Sequence, residues 1–169
     1  HYGVNAKQTA IRGGSAGGYT ALRTLSSTDF FQAGCSYYGI SDLENLRKET
    51  HKFESRYLDR LIGAYPQEQD KYRERSPIHS HARINKPVLF LHGRDDRVVP
   101  INQAETLFSA LKQNGVPVAM LAFDDEQHGF RKASTMQTAL QAEYQFYCAI
   151  FSISPLEDFT AMQIHNWRQ

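Results

Sequence analysis

The chain has 169 residues and a formal net charge of +1, with 41% of its residues hydrophobic and 22% charged. These values are ordinary for a globular domain with a sizeable core, and the near-zero charge does not favour nucleic acid or a membrane surface as a partner. No apolar run is long enough to span a bilayer. Cys35 and Cys148 lie in apolar stretches, so we expect buried free thiols and a cytoplasmic location, the alternative being a disulfide between them.

Hydrophobic periodicity along the chain predicts short buried strands that alternate with amphipathic helices. The strands are predicted at 7–13, 31–39, 87–93 and 117–123, and the helices at 16–27, between 42 and 75, at 101–114 and at 132–152. The last helix is expected to turn Leu140, Tyr144, Tyr147 and Phe151 inward. Uninterrupted apolar strands are typical of a parallel sheet covered on both faces, so the pattern predicts an α/β fold. We expect residues 1–152 to form this domain and 153–169 a tail that is helical in part.

The first strand runs into a G-x-S-x-G motif, Gly13-Gly-Ser-Ala-Gly17, and a helical pattern follows it. A strand, a sharp turn and a helix are the context of a nucleophile elbow, which exposes a strained serine, here Ser15, at the tip of the strand. Gly13 and Gly17 are expected because larger side chains would clash there. The N–H of Ala16 would then donate to a developing oxyanion. The alternative is a flexible glycine loop or a phosphate-binding turn.

Two later strands also run into residues that suit catalysis. The third predicted strand continues into His92-Gly-Arg-Asp-Asp-Arg-Val-Val-Pro100, and the fourth is followed by Glu126-Gln-His-Gly-Phe130. Polar chemistry in such sheets lies at the carboxyl ends of strands, and the chain order Ser, Asp, His is that of α/β-hydrolases. We therefore predict Ser15 as the nucleophile, His128 as base and then acid, and Asp96 as the group that orients His128. The alternative to Asp96 is its neighbour Asp95.

The other histidines and acidic residues near these motifs are better explained by structural roles than by catalysis or metal binding. His79, His81 and His92 suggest a metal site only weakly, because no cysteine or carboxylate follows at ligand spacing. No metal is therefore predicted, and His92 is expected to satisfy backbone groups under the loop that carries Asp96. The acidic run 124–126 is expected to be a solvated face of its loop.

The three motifs, together with Ser36-Tyr-Tyr-Gly-Ile-Ser-Asp-Leu43 and the run 50–58, resemble the catalytic domain of the prolyl oligopeptidase family, in its acylaminoacyl-peptidase and dipeptidyl-aminopeptidase-like branch. The resemblance covers residues 1 to about 152. It implies an α/β-hydrolase fold and hydrolysis of short peptides through an acyl-enzyme, without a cofactor. It also implies an apolar substrate pocket, although the residues that match it are equally explained as core residues of helix faces. The matching positions are Tyr38, Phe53, Tyr57 and Val99.

Members of that family are longer than this chain, and the resemblance implies a preceding β-propeller and further strands of the hydrolase sheet. Because the chain begins at His1 and its first strand is already the nucleophile strand, we expect a piece of a longer protein, truncated on its N-terminal side. The missing loop would supply the second oxyanion donor, so the isolated piece is expected to be weakly active or inactive, since one lost donor costs about a hundred- to a thousand-fold in turnover. The strand at 7–13 would be an exposed edge, which predicts pairing with a second copy of the chain or some other cover for that edge.

Two other functions remain open at this point. A carboxylesterase acting on small acyl esters uses the same triad, and a hydrolase-like domain can also be a non-catalytic module that only packs or binds. We expect a peptide substrate, with neither nucleic acid nor a membrane as partner.

Overall fold

A four-stranded sheet forms the centre of the computed structural model, which describes residues 3, 5–49, 57–157 and 162–167. All neighbouring strands are parallel, in the order β1-β2-β3-β4. The strands are β1 (Ala10–Gly14), β2 (Ala33–Tyr37), β3 (Val88–Gly93) and β4 (Val118–Phe123). The helices are α1 (Ala16–Leu25), α2 (Leu43–Glu49), α3 (Tyr57–Leu61), α4 (Gln69–Arg75), α5 (Asn102–Gln113) and α6 (Ala133–Phe151), with short 3-10 segments at Ala6–Gln8 and Pro77–Arg83. The predicted parallel α/β fold is confirmed, although β2 is two residues shorter at each end than predicted and β1 begins at residue 10 and not at 7, because a 3-10 segment precedes it.

Both faces of the sheet are covered, as the apolar strands predict. Alternate residues of β3 point to opposite faces: Val88 and Phe90 pack with residues of α1 and α5, while Leu89 and Leu91 pack with residues of α6. All six residues of β3 are buried. Such a strand has no solvated face, which explains why its sequence is an uninterrupted apolar run. Cys35 and Cys148 are both buried free thiols, as expected.

The inward face of α6 agrees with the prediction in part: Tyr147 and Phe151 pack against the core of the sheet, as expected, but Leu140 does not. Ala139, Ala142 and Phe146 pack against the sheet, whereas Leu140 is 59% exposed. In its first half the helix therefore turns alanines, and not Leu140, toward the sheet. Leu140 instead lines a cavity beside β1 together with Met136.

β1 lies at one edge of the described sheet and pairs there with β2 alone. An unpaired edge presents backbone N–H and C=O groups to any strand that can reach it. The expected pairing of this edge with a second copy of the chain stays a prediction.

The tail meets the opposite edge of the sheet. His165 pairs antiparallel with Val118 of β4, and the two residues exchange backbone hydrogen bonds of 2.9 and 3.1 Å. The described stretches of the tail, 153–157 and 162–167, contain no helix, so the helix expected there is not found in them. Ser152 ends α6 with a left-handed φ of 53°. None of the described helices is both long enough and apolar enough to cross a bilayer.

A small second core lies beside the sheet and is formed by α2, α3, α4 and the loop after β3. Leu43, Leu58, Tyr72 and Val99 are among its buried members. The carboxylate of Glu44, on α2, ties these helices together because four side chains donate to it. The pKa of Glu44 is lowered to about 2, first by the hydrogen bond from Lys48 and further by those from Tyr65, Gln69 and Arg73, against the effect of burial. The donors are Lys48, Tyr65, Gln69 and Arg73, at 2.7, 2.9, 2.7 and 3.1 Å.

Candidate active site

Ser15 occupies the sharp turn between β1 and α1. Its φ of 55° and ψ of −121° lie in a region that is strained for a residue with a side chain. The neighbouring chain holds it there: its N–H donates to the carbonyl of Tyr37 at 2.9 Å, and its carbonyl accepts from the N–H of Tyr19 at 3.0 Å. Ala16 is the first residue of α1, where N–H groups lack an acceptor within the helix. The backbone therefore has the elbow geometry that the G-x-S-x-G motif predicts.

Of the two glycines that flank Ser15, only Gly13 lacks the space for a larger side chain. A Cβ on Gly13 would lie 2.3 Å from the carbonyl carbon and oxygen of Gly17, whereas a Cβ on Gly17 would meet nothing within 4 Å. The expectation that both positions exclude larger side chains is right for Gly13 and wrong for Gly17. The reason is that β1 and the first turn of α1 touch through Gly13, while Gly17 faces open space.

We therefore expect opposite effects from alanine at these two positions. Gly13→Ala should destabilise the fold by about 3 kcal/mol, because the new methyl meets backbone atoms that cannot move aside. Gly17→Ala should stabilise α1 by about 0.5–1 kcal/mol, because alanine restricts the unfolded chain and fits the helix. Urea unfolding of both variants measures the two effects. Equal effects of the two substitutions would show that the contact between β1 and α1 is looser than described.

The three side chains predicted to act together lie in hydrogen-bonding contact. Ser15 Oγ is 2.8 Å from His128 Nε2, and His128 Nδ1 is 2.8 Å from Asp96 Oδ2. A carboxylate can only accept, so Nδ1 carries a proton and donates it to Asp96. In the neutral imidazole this leaves the lone pair on Nε2, which faces the Ser15 hydroxyl. The ring is thus in the tautomer that can accept a proton from serine.

Asp96, and not Asp95, is the carboxylate that faces His128. The Asp96 side chain is fully buried, and its Oδ1 accepts the N–H groups of Val98 and Val99 at 2.9 and 2.8 Å. Asp95 is exposed. Burial by itself would raise the pKa of Asp96, but hydrogen bonds from His128, His92 and the Val99 N–H outweigh it and hold that pKa well below its usual range. The carboxylate therefore stays ionised and fixed in position.

His92 lies beneath the Asp96 loop, as expected. Its Nε2 donates to the carbonyl of Val99 at 2.8 Å and lies 3.5 Å from Asp96 Oδ2. His81 uses its ring to contact the carbonyl of Ile78 at 2.6 Å. In the ranges that the structure describes, no cluster of three or more His, Cys, Asp or Glu side chains is suited to hold a metal ion.

The acidic run after β4 is only partly solvated, which corrects the prediction for Glu126. Asp124 and Asp125 are exposed and contact Arg94 and Lys132 at 3.0 and 3.1 Å. Glu126, in contrast, is 1% exposed. Its carboxylate turns inward because backbone N–H groups beyond His128 need an acceptor there. Nothing in the periodicity of a short loop indicates such a contact, so the sequence alone did not suggest it.

The residues predicted to line a substrate pocket fall into different places. The ring of Tyr38 lies 5.1 Å from the ring of His128, and the residue has a strained φ of 39°. The side chain of Val99 is buried in the second core, which matches the alternative of a core residue. Tyr57 is 62% exposed on α3, and Phe53 lies outside the described residues.

Phe130 was not among the predicted site residues, yet it lies beside the site. Its ring is 5.4 Å from that of Tyr38 and 4.9 Å from that of Phe123. The Gly-Phe pair after His128 is the signal that could have indicated it. Tyr38 and Phe130 thus form an aromatic wall next to the His128 imidazole.

Known proteins are similar to this chain in sequence and in the arrangement of strands and helices. The profile of the prolyl oligopeptidase family matches residues 1–154. A solved puromycin-hydrolyzing peptidase of Mycobacterium tuberculosis is 45% identical, with a TM-score of 0.88 over 91% of this chain. Dipeptidyl aminopeptidase BIII of Pseudoxanthomonas mexicana is 30% identical over 93% of this chain, and the probable carboxylic ester hydrolase LipM of M. tuberculosis is 30% identical over 89% of it.

The chain spans only part of each of these proteins, namely 23% of the solved peptidase, 24% of the aminopeptidase and 39% of the ester hydrolase. The family profile nevertheless covers nearly all of the present chain, including the three residues in contact at the ends of the strands. The sequence, the parallel sheet with its elbow and the solved neighbours therefore agree that this chain belongs to the prolyl oligopeptidase family of serine peptidases.

Proposed function

We propose that this chain carries the catalytic serine, histidine and aspartate of a serine peptidase that cleaves short peptides through an acyl-enzyme. The observation that carries the proposal is the 2.8 Å contact between Ser15 Oγ and His128 Nε2, with Nδ1 of the same ring bound to Asp96. A serine hydroxyl is a poor nucleophile near neutral pH unless a base removes its proton during attack. Membership of a serine peptidase family supports the same assignment.

In the proposed reaction, Ser15 Oγ bonds to the carbonyl carbon of the substrate while its proton passes to His128 Nε2. The oxyanion that forms is stabilised by the Ala16 N–H and by the positive end of α1. The C–N bond then breaks, and the leaving amine takes the proton from Nε2. Water, deprotonated by His128, hydrolyses the resulting ester and frees Ser15. Asp96 keeps the ring in one tautomer and stabilises its cation throughout.

A carboxylic ester hydrolase is the second candidate. The probable ester hydrolase LipM supports it, because it is 30% identical over 89% of this chain. The same three side chains can cleave an ester, which needs less help for its leaving group than an amide does. The aromatic wall of Tyr38 and Phe130 suits an apolar acyl group in either case. A non-catalytic module is the third candidate, and the assembled contacts of Ser15 argue against it.

A paired substrate assay separates the three candidates. The same acylated amino acid is offered as its p-nitroanilide and as its p-nitrophenyl ester, each with Ser15→Ala as the blank. A peptidase should release nitroaniline and nitrophenol, both in a Ser15-dependent manner and slowly in this chain. Release from the ester alone would identify an ester hydrolase. Release of neither product above the blank, together with no covalent labelling of Ser15 by a fluorophosphonate, would identify a non-catalytic module.

A further inference from the structure

Glu126 is the buried member of an otherwise exposed acidic run. It is 1% exposed, whereas the side chain of its neighbour Asp125 is 82% exposed. Its Oε2 accepts the N–H of Arg131 at 2.9 Å, and its Oε1 accepts the N–H of Lys132 at 3.0 Å. A carboxylate is rarely buried without such partners, and here each of its oxygens accepts one backbone N–H group. These two hydrogen bonds hold the backbone beyond His128, just before α6 begins.

The backbone of Glu126 reaches the other loop of the site. Its carbonyl accepts the N–H of Asp95 at 3.0 Å, one residue before Asp96. The contact is close: a Cβ on Gly93, at the end of β3, would lie 2.3 Å from the Glu126 carbonyl oxygen. Glu126 is therefore joined through its main chain to the aspartate loop and through its side chain to the far end of the histidine loop.

His128 lies between these two points of attachment. The segment that carries it is a tight turn, in which Gln127 and Gly129 form an isolated bridge and Gly129 has a φ of 85°. The His128 side chain is 22% exposed, so packing alone does not hold the ring. Its position depends on how well the turn is held at both ends.

We propose that Glu126 is a positioning residue that fixes the His128 loop against the Asp96 loop, so that the imidazole is held in line between Asp96 and Ser15. The inference rests on the proposed function, since it concerns the same histidine. Misplacing a catalytic group by about 1 Å can cost about a hundred-fold in rate, so holding this turn has a kinetic consequence.

The charge and the number of oxygens both matter for this role. Burial acts to raise the pKa of Glu126, but the hydrogen bonds from the Arg131 and Lys132 N–H groups and from Thr135 outweigh it, and the net pKa is lowered. Glutamine has the same shape but one acceptor oxygen, and its NH2 group would face an N–H group. One backbone N–H would then lose its partner, which loosens the end of the turn.

The test compares Glu126→Gln with Asp125→Asn, which removes the same charge from the adjacent exposed position. Two quantities are measured on folded protein, well below the melting temperature. One is the rate at which Ser15 reacts with a fluorophosphonate. The other is the low-field proton resonance of His128 Nδ1–H in the Ser15→Ala background, which reports the contact with Asp96 without any reaction.

Glu126→Gln is expected to slow labelling about a hundred-fold and to broaden or abolish the low-field resonance. Asp125→Asn should change the labelling rate by no more than about two-fold and leave the resonance in place. If Glu126→Gln does not fold, Glu126→Asp replaces it, because it keeps the charge but withdraws the oxygens by one methylene; slower labelling with a broadened resonance is again expected.

Unchanged labelling and an unchanged resonance in a folded variant at position 126 would overturn the proposal. Failure of the positioning role of Glu126 can be distinguished from failure of the proposed function. If Ser15 of the unaltered chain does not react at all, the proposed function fails, while the resonance still shows whether position 126 controls the His128 ring.

Discussion

Replacement of Asp96 by asparagine is expected to slow the reaction of Ser15 with a fluorophosphonate by about ten-thousand-fold. Asparagine retains an oxygen for the Val98 and Val99 N–H groups, so the loop should keep its shape. Its NH2 group, however, would point at His128 Nδ1, which then has to act as the acceptor. The proton moves to Nε2, and the ring can no longer accept the proton of Ser15.

Asp95→Asn is the matched control for this substitution. It makes the same chemical change one residue earlier, at an exposed position whose backbone, and not its side chain, contacts Glu126. We expect its rate of labelling to stay within about two-fold of the unaltered chain. A large loss in Asp95→Asn together with a small one in Asp96→Asn would reverse the assignment of the two carboxylates.

The fold could be predicted to a large extent because its strands are buried on both faces. An uninterrupted apolar run such as that of β3 leaves few other interpretations, and the structure confirms four parallel strands in the predicted chain order. Periodicity was less informative at the surface. On α6, Ala139 is buried against the sheet and Leu140 is 59% exposed, although leucine is the more hydrophobic of the two, so hydrophobicity alone selects the wrong residue. The tail pairs with β4 through His165, and no local pattern indicates such a long-range contact.

In the candidate site, too, some features could be predicted from the sequence and others could not. Ser15, Asp96 and His128 were predicted from their places after strands, and the structure brings the three into contact. Glu126 was assigned to a solvated face because a carboxylate in a short acidic run is usually exposed. Its burial depends on two backbone N–H groups further along the chain, and such unpaired donors cannot be read from residue types. The same holds for Gly17, whose open surroundings appear only in the structure.

Ser15→Ala is expected to remove covalent labelling entirely. The substitution deletes the one oxygen that His128 Nε2 faces, while the contact of His128 with Asp96 does not involve it. A fluorophosphonate reacts once and irreversibly, so the adduct accumulates over hours even where turnover is slow. The strained turn is retained, because alanine also has a side chain at the same φ, and the fold should melt at a similar temperature.

The central claim is that Ser15 is a nucleophile activated by His128. The most direct test is mass spectrometry of the chain after prolonged exposure to a fluorophosphonate at neutral pH, with the site of modification mapped by peptide sequencing. We predict a single adduct on Ser15 that is absent from Ser15→Ala. No adduct on the unaltered chain, or an adduct that persists in Ser15→Ala, would contradict the claim.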